Sequence, residues 1–199
     1  MWEERYSAAD DYVFGTDPAI FLTQHKDLLV SGLSALAVAD GEGRNSVYMA
    51  QQGLDVTAYE FAPSAIKRAK TLAQTKGVQV DFQNVDILQH DWPENSFDLV
   101  VGVFIQFVGP TDRRTQFDGM KRATKPGGLI LLHGYTPKQL EFGTGGPPFA
   151  ENMYTEDQLR SDFTGWDILE CSAYEREVQE GRGHSGMSAL IDLVARKPG

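Results

Sequence analysis

Apolar residues in this chain fall into short, near-continuous runs, separated by stretches in which they recur at helical spacing. The runs predict strands over residues 35–39, 55–60, 79–84, 97–103 and 129–133. Between them the spacing predicts helices over 44–52, stopped by Gly53, over 63–75, stopped by Gly77, and over 111–123, ahead of Pro126. Strands alternating with helices in this way build a parallel sheet covered on both faces.

Outside that repeat the pattern changes. Thr16-Asp17-Pro18 offers a cap and a first-turn proline for a helix over 19–29, placed to cover the sheet. Residues 136–152 are rich in proline and glycine and predict an irregular, lid-like loop. A helix near 155–163 follows, then extended runs over 167–178 and 185–196 joined by Glu180-Gly181-Arg182-Gly183, the mark of an antiparallel hairpin. The expected fold is therefore α/β: a doubly wound, Rossmann-like, mostly parallel sheet of seven strands with a C-terminal antiparallel hairpin. The chain is expected to form one domain over 1–199, comprising a helical cap (1–33), a core (34–135), a lid-like loop (136–154) and a C-terminal helix with hairpin (155–199).

Composition narrows the chemistry. At 199 residues with 41% hydrophobic content the chain can bury its own core. A single cysteine, Cys171, excludes an internal disulfide and a cysteine-held metal, and no metal site is expected. No apolar run approaches the roughly 20 residues of a membrane span, so a cytoplasmic protein without a membrane partner is expected. A net charge of −10 opposes nucleic-acid backbones and favours a small-molecule substrate. A monomer or homodimer is expected.

The turn Asp40-Gly41-Glu42-Gly43 follows the first strand and runs into a helix at Arg44, so backbone N–H groups converge where glycine permits close approach. By itself the turn is as compatible with a plain strand-to-helix connection. Glu60 ends the second strand about 20 residues later, where a carboxylate can accept from ribose hydroxyls. Asp86 follows the third strand and can accept from an adenine amino group, with Ile87 and Phe61 flanking the ring. The third glycine of a dinucleotide fingerprint is missing, and no Gly-Lys-Ser/Thr follows the first strand.

These residues, with Phe97-Asp98-Leu99-Val100-Val101 and Lys125-Pro126-Gly127-Gly128, resemble the class I S-adenosylmethionine methyltransferases along nearly the whole chain. Gly43-Arg44-Asn45-Ser46, the opening 2–6, Gly15-Thr16-Asp17-Pro18 and the tail 180–189 are similar to the tellurite-resistance methyltransferases and their thiopurine-methyltransferase relatives. The resemblance implies S-adenosyl-L-methionine as cofactor, S-adenosyl-L-homocysteine as product, and Asp40, Gly41, Gly43, Glu60, Phe61, Asp86, Ile87 and Val103 as the cofactor-binding set. It also implies active-site roles for His184 and Arg182. The chain departs from the family's first motif, which has an acid at the position of Ala37 and a glycine at that of Ala39. Either Asp40 takes over the missing acid's task or affinity is reduced.

The acceptor is expected above the carboxyl ends of the strands, where Tyr12, Gln106, His133 and Tyr135 are candidates. For His133 a satisfied core position is the favoured reading, and for Gln106 an exposed loop amide is the commoner one. The expected activity is methyl transfer to a thiol, a chalcogen oxyanion or another soft nucleophile, which needs no base. An amine or hydroxyl acceptor served by His184 is the alternative, and a non-catalytic sensor or partner subunit is a third.

Overall fold

A computed structural model describes residues 2–180 and 184–199, with the side chain of His184 outside that description. Its seven strands are β1 (Ser34–Val38), β2 (Asp55–Glu60), β3 (Asp81–Asn84), β4 (Phe97–Val103), β5 (Thr124–Tyr135), β6 (Asp167–Glu180) and β7 (His184–Arg196). They form one sheet in the order β3-β2-β1-β4-β5-β7-β6. β1 to β5 run parallel, and β7 lies antiparallel to both β5 and β6. The sheet and hairpin are those expected from the pattern.

The alternation within each strand feeds two cores. Leu36, Val38, Val100, Ile130 and Leu132 face α5 (Pro110–Ala123) and α7 (Glu156–Asp162), packing on Phe117, Met120 and Phe163. Ala35, Ala37, Leu99, Val101 and Leu131 face the other way, onto Phe21 and Leu22 of α2 (Ile20–Gln24) and Met49 of α3 (Arg44–Gln51). α4 (Pro63–Lys76) packs against α3 and β2 and ends at Gly77, which takes the left-handed φ of 69° that a helix C-terminus commonly needs. Because each βα crossover leaves the carboxyl end of its strand, the connections gather along one edge and open a crevice there, on both sides of the point where strand order reverses between β1 and β4.

Three local features differ from the expectation. The helix over 19–29 breaks after Gln24 into a 3-10 turn over Lys26–Leu28. The His25 ring is drawn to Glu170 on β6, with Nε2 at 2.9 Å from Oε2, while Nδ1 lies 2.8 Å from the Phe21 carbonyl. The span 136–152 is no bare loop: it holds α6 (Gln139–Phe142) and a 3-10 turn (Ala150–Asn152), and Gln139 ties it to β7 by accepting from Ala189 N at 2.8 Å. At the N-terminus a short helix, α1 (Trp2–Ser7), docks on α4, with Glu3 accepting from the Ser64 amide at 3.0 Å. Among the described residues no helix is long and apolar enough to cross a membrane.

Candidate active site

The crevice is a cleft of about 620 Å³, within the roughly 300–1,000 Å³ usual for small-molecule sites. Its two halves are built from different chemistry.

The polar half gathers at the ends of β1, β2 and β3. The chain leaves β1 through Ala39 at φ 49°, turns at Gly41 (φ 62°) and enters α3 through Gly43 (φ 89°). A left-handed alanine costs about 1–2 kcal/mol relative to glycine, so the departure at Ala39 falls where the backbone itself calls for glycine. Glu60 holds this turn from across the strands. Its Oε2 accepts from Gly41 N at 2.8 Å and its Oε1 from Ala62 N at 2.8 Å. Each oxygen keeps a further lone pair for a ligand hydroxyl. Burial raises the pKa of Glu60, against the pull of those backbone donors.

Asp40 accepts from Ser46 N at 3.2 Å and from the Ser46 hydroxyl, which fastens it to the first turn of α3. Burial pushes its carboxyl up to about 7, opposed by the Ser46 hydrogen bonds. Asp86 accepts from Leu88 N at 3.0 Å and from the Gln89 amide at 2.8 Å, so it shapes its own turn while lining the cleft. Ile87 is buried beside it, and the Phe61 ring, 63% exposed, stands open on the same wall.

The apolar half is formed by Val103, Phe104, Phe107 and Val108 after β4, Tyr135 at the end of β5, and residues 145–149 with Asn152. Gln106 is spent on the protein: its amide donates to Tyr135 O at 2.8 Å and accepts from Tyr135 N at 2.6 Å. It therefore fixes the end of β5 while lining the cleft, with one amide hydrogen and one oxygen lone pair outside these two bonds. Burial raises the Tyr135 phenol far above its ordinary pKa, and Glu180 adds to the rise. Among the described residues the charged groups that act on Tyr135 are Glu180 and Arg44, which pair with each other.

Three expected site residues sit elsewhere. Gly43 does not line the cleft; a Cβ there would lie 2.7 Å from Ala69 Cβ, so this glycine serves the close approach of α3 to α4. Tyr12 packs outside, against Val47 and Leu72, and donates its hydroxyl to Arg68 O at 3.1 Å. His133 lies two residues before Tyr135 in β5, its Nδ1 2.5 Å from Asp192 Oδ1 and its ring stacked on Phe21 at 5.0 Å. It is a satisfied buried residue away from the cleft. Arg182 and the side chain of His184 lie outside the described residues.

Two ion pairs, one buried and one part-buried, had no signal in the sequence, because their partners are far apart along it. Arg44, lining the cleft at the start of α3, pairs with Glu180 at the end of β6, Nη1 to Oε2 2.7 Å. Glu180 also accepts from Ile20 N at 3.0 Å, so one carboxylate joins α2, α3 and the hairpin. Glu42 pairs with Arg68 at 2.7 Å and accepts from Val13 N at 2.7 Å, drawing the N-terminal segment over the cleft. Trp2, Arg5, Tyr6, Phe14 and Gly15 of that segment line its mouth. The guanidinium of Arg5 lies 5.2 Å from the Trp2 ring centre and 5.1 Å from that of Phe14.

The polar half fits S-adenosylmethionine: a carboxylate with spare lone pairs for ribose, a part-buried acid for an ammonium group, and an acid with apolar walls for adenine. Comparison with known proteins points the same way. Residues 35–128 match the family described as "Methyltransferase domain". The chain is 28% identical over 130 residues to a demethylmenaquinone methyltransferase of Paenarthrobacter aurescens (strain TC1), covering 65% of this chain and 47% of that protein. It is 24% identical over 176 residues to TehB of Haemophilus influenzae, described as a probable S-adenosyl-L-methionine-dependent methyltransferase, covering 85% and 59%. The chain thus spans about half the length of the curated relatives it matches. Among solved structures, one from echinomycin biosynthesis, concerned with conversion of a disulfide bond into a thioacetal group, superposes with a TM-score of 0.81 at 18% identity, covering 99% of this chain and 92% of the other. The crystal structure of Haemophilus influenzae TehB superposes with a TM-score of 0.72 at 19% identity, covering 98% and 65%.

Proposed function

We propose that this chain, which has the class I S-adenosylmethionine methyltransferase fold with its methyltransferase domain over residues 35–128, transfers a methyl group to a small, soft acceptor such as a thiol or a chalcogen oxyanion. When bound, S-adenosylmethionine supplies an electrophilic methyl group on its sulfonium sulfur. Glu60 is the residue to hold the ribose, Asp40 the ammonium group, and Asp86 with Ile87 and Phe61 the adenine. Val103, at the end of β4, lines the same cleft.

The observation that carries the reading is the chemistry of the acceptor half. Gln106 is engaged with the Tyr135 backbone, Glu180 is engaged with Arg44, and the Tyr135 phenol is held protonated. An acceptor docked there meets aromatic walls and no side chain, among the described residues, that can take its proton near neutral pH. An amine or hydroxyl gains about 10²- to 10⁴-fold from such a base, whereas a thiolate or an oxyanion arrives already nucleophilic. With the N-terminal segment and residues 145–149 lining the cleft, positioning is the main contribution left to the protein. The relative from echinomycin biosynthesis likewise concerns a sulfur group.

The test is transfer of labelled methyl from S-adenosylmethionine across acceptors matched in size. Turnover of thiols or selenols well above that of the corresponding amines and alcohols is expected. Transfer mainly to amines or alcohols, collapsing in His184→Ala, would instead establish base-assisted chemistry.

A further inference from the structure

Among the described residues, three that are not glycine adopt positive φ: Ala39, Asn95 and Phe104. Asparagine enters the left-handed region readily, but a bulky aromatic side chain there is a true outlier. Phe104, at φ 56°, stands at the carboxyl end of β4 and lines the apolar half of the cleft. Such conformations persist only where the surroundings over-determine them, and they gather at functional sites.

The surroundings of Phe104 do over-determine it. Its N–H donates to His133 O at 2.8 Å. Its ring stands edge-on to the His133 imidazole with centres 4.7 Å apart, and lies 4.7 Å from the Tyr135 ring. The imidazole is gripped by Asp192 and backed by Phe21, while Gln106 fixes Tyr135 through both backbone groups. Two neighbouring residues are sent opposite ways. Ile105 folds back into the core so closely that a Cβ on Gly102 would lie 2.5 Å from its Cδ1, and Phe104 is thrown out against the cleft.

We infer that Phe104 is the specificity-determining residue of the acceptor site, its ring acting as a fixed wall that admits small acceptors and rejects bulky ones. This rests on the reading of residues 103–108 as the acceptor side of a methyltransferase cleft. The strained backbone alone has a rival explanation, since it also lets Ile105 return to the core. Substitution by glycine separates the two, because glycine holds φ 56° without strain and removes only the ring.

The experiment titrates methylated products into protein saturated with S-adenosylhomocysteine, by calorimetry. The products are thioethers, methyl ethers and N-methyl amines, each with a methyl and a benzyl substituent. In Phe104→Gly the benzyl-to-methyl affinity ratio is expected to rise about ten-fold or more, with S-adenosylhomocysteine affinity within two-fold of wild type and Tm within about 3 °C. Phe104→Leu, which keeps the left-handed backbone under a smaller side chain, is expected to give an intermediate ratio and a lower Tm than Phe104→Gly. An unchanged ratio in both variants, a parallel loss of S-adenosylhomocysteine affinity, or no binding of any product by wild type would overturn the inference. Preference for amines or ethers over thioethers, with the size response intact, would count against the soft-acceptor reading and leave Phe104 as the gate.

Discussion

The two halves of the cleft are both made of strand ends, yet they hold their side chains by opposite means. In the polar half, carboxylates are pinned by backbone amides: Glu60 by Gly41 and Ala62, Asp40 by Ser46, Asp86 by Leu88. In the apolar half a side-chain amide grips a backbone, and rings are wedged against one another around Tyr135 and Phe104. The first arrangement fixes charge where a polar cofactor needs it. The second fixes shape, which under the proposed function leaves the acceptor to bring its own reactivity.

The largest effect is expected where the halves are tied together. Arg44→Met strands the Glu180 carboxylate in the interior, and loss of one partner from a buried pair costs about 3–5 kcal/mol. Urea unfolding should show that loss, with most of it recovered in Arg44→Met/Glu180→Leu. A silent single variant would mean that the hairpin is not held to α3 by this pair. Glu60→Gln comes next. An amide can accept only one of the two N–H groups that Glu60 now serves, so S-adenosylhomocysteine should bind about 10- to 100-fold more weakly. An unchanged Kd would remove Glu60 from the site.

Ala39→Gly sharpens the picture of the altered first motif. Relief of the left-handed alanine should stabilise the protein by about 1 kcal/mol, a rise of roughly 2–4 °C in Tm. A lower Tm would show that the turn prefers alanine for reasons other than backbone strain.

A further expected effect is a slope with pH. The folded-state pKa of Asp40, about 7, lies above its ordinary value of 3.8. Between these values the folded chain keeps a proton that the unfolded chain has released, so the contribution of Asp40 to stability is full below pH 4 and is lost as pH rises through 7. Asp40→Asn has no such titration. The Tm of wild type relative to this variant should therefore fall between pH 4 and 8, and parallel curves would contradict the burial of the carboxyl.

The strands and most of the helices were legible in the sequence because parallel strands buried on both faces carry continuous apolar runs, and because Gly53, Gly77 and Pro126 punctuate the helices. Glu60 and Asp86 were legible by their places after strands. The remainder depended on direction and distance. Whether His133 or Tyr135 faces the cleft turns on two residues along β5 and on where Phe21 ends its cover. Gly43 reads like a ligand glycine but is required by Ala69, and Tyr12 is claimed by the outer face of α3 and α4. The Arg44–Glu180 pair and the left-handed Phe104 leave no local trace, since both arise from elements that meet only in the folded sheet.

The central proposal is that the acceptor half selects by shape and, among the described residues, supplies no base. It is tested most directly by the pH dependence of kcat/KM for labelled methyl transfer to a series of thiols of graded acidity. The account predicts a midpoint that moves with the pKa of each thiol, because the protein only receives the thiolate. A midpoint near pH 7 shared by every acceptor and retained in Asp40→Asn would belong to a base facing the acceptor and would contradict it.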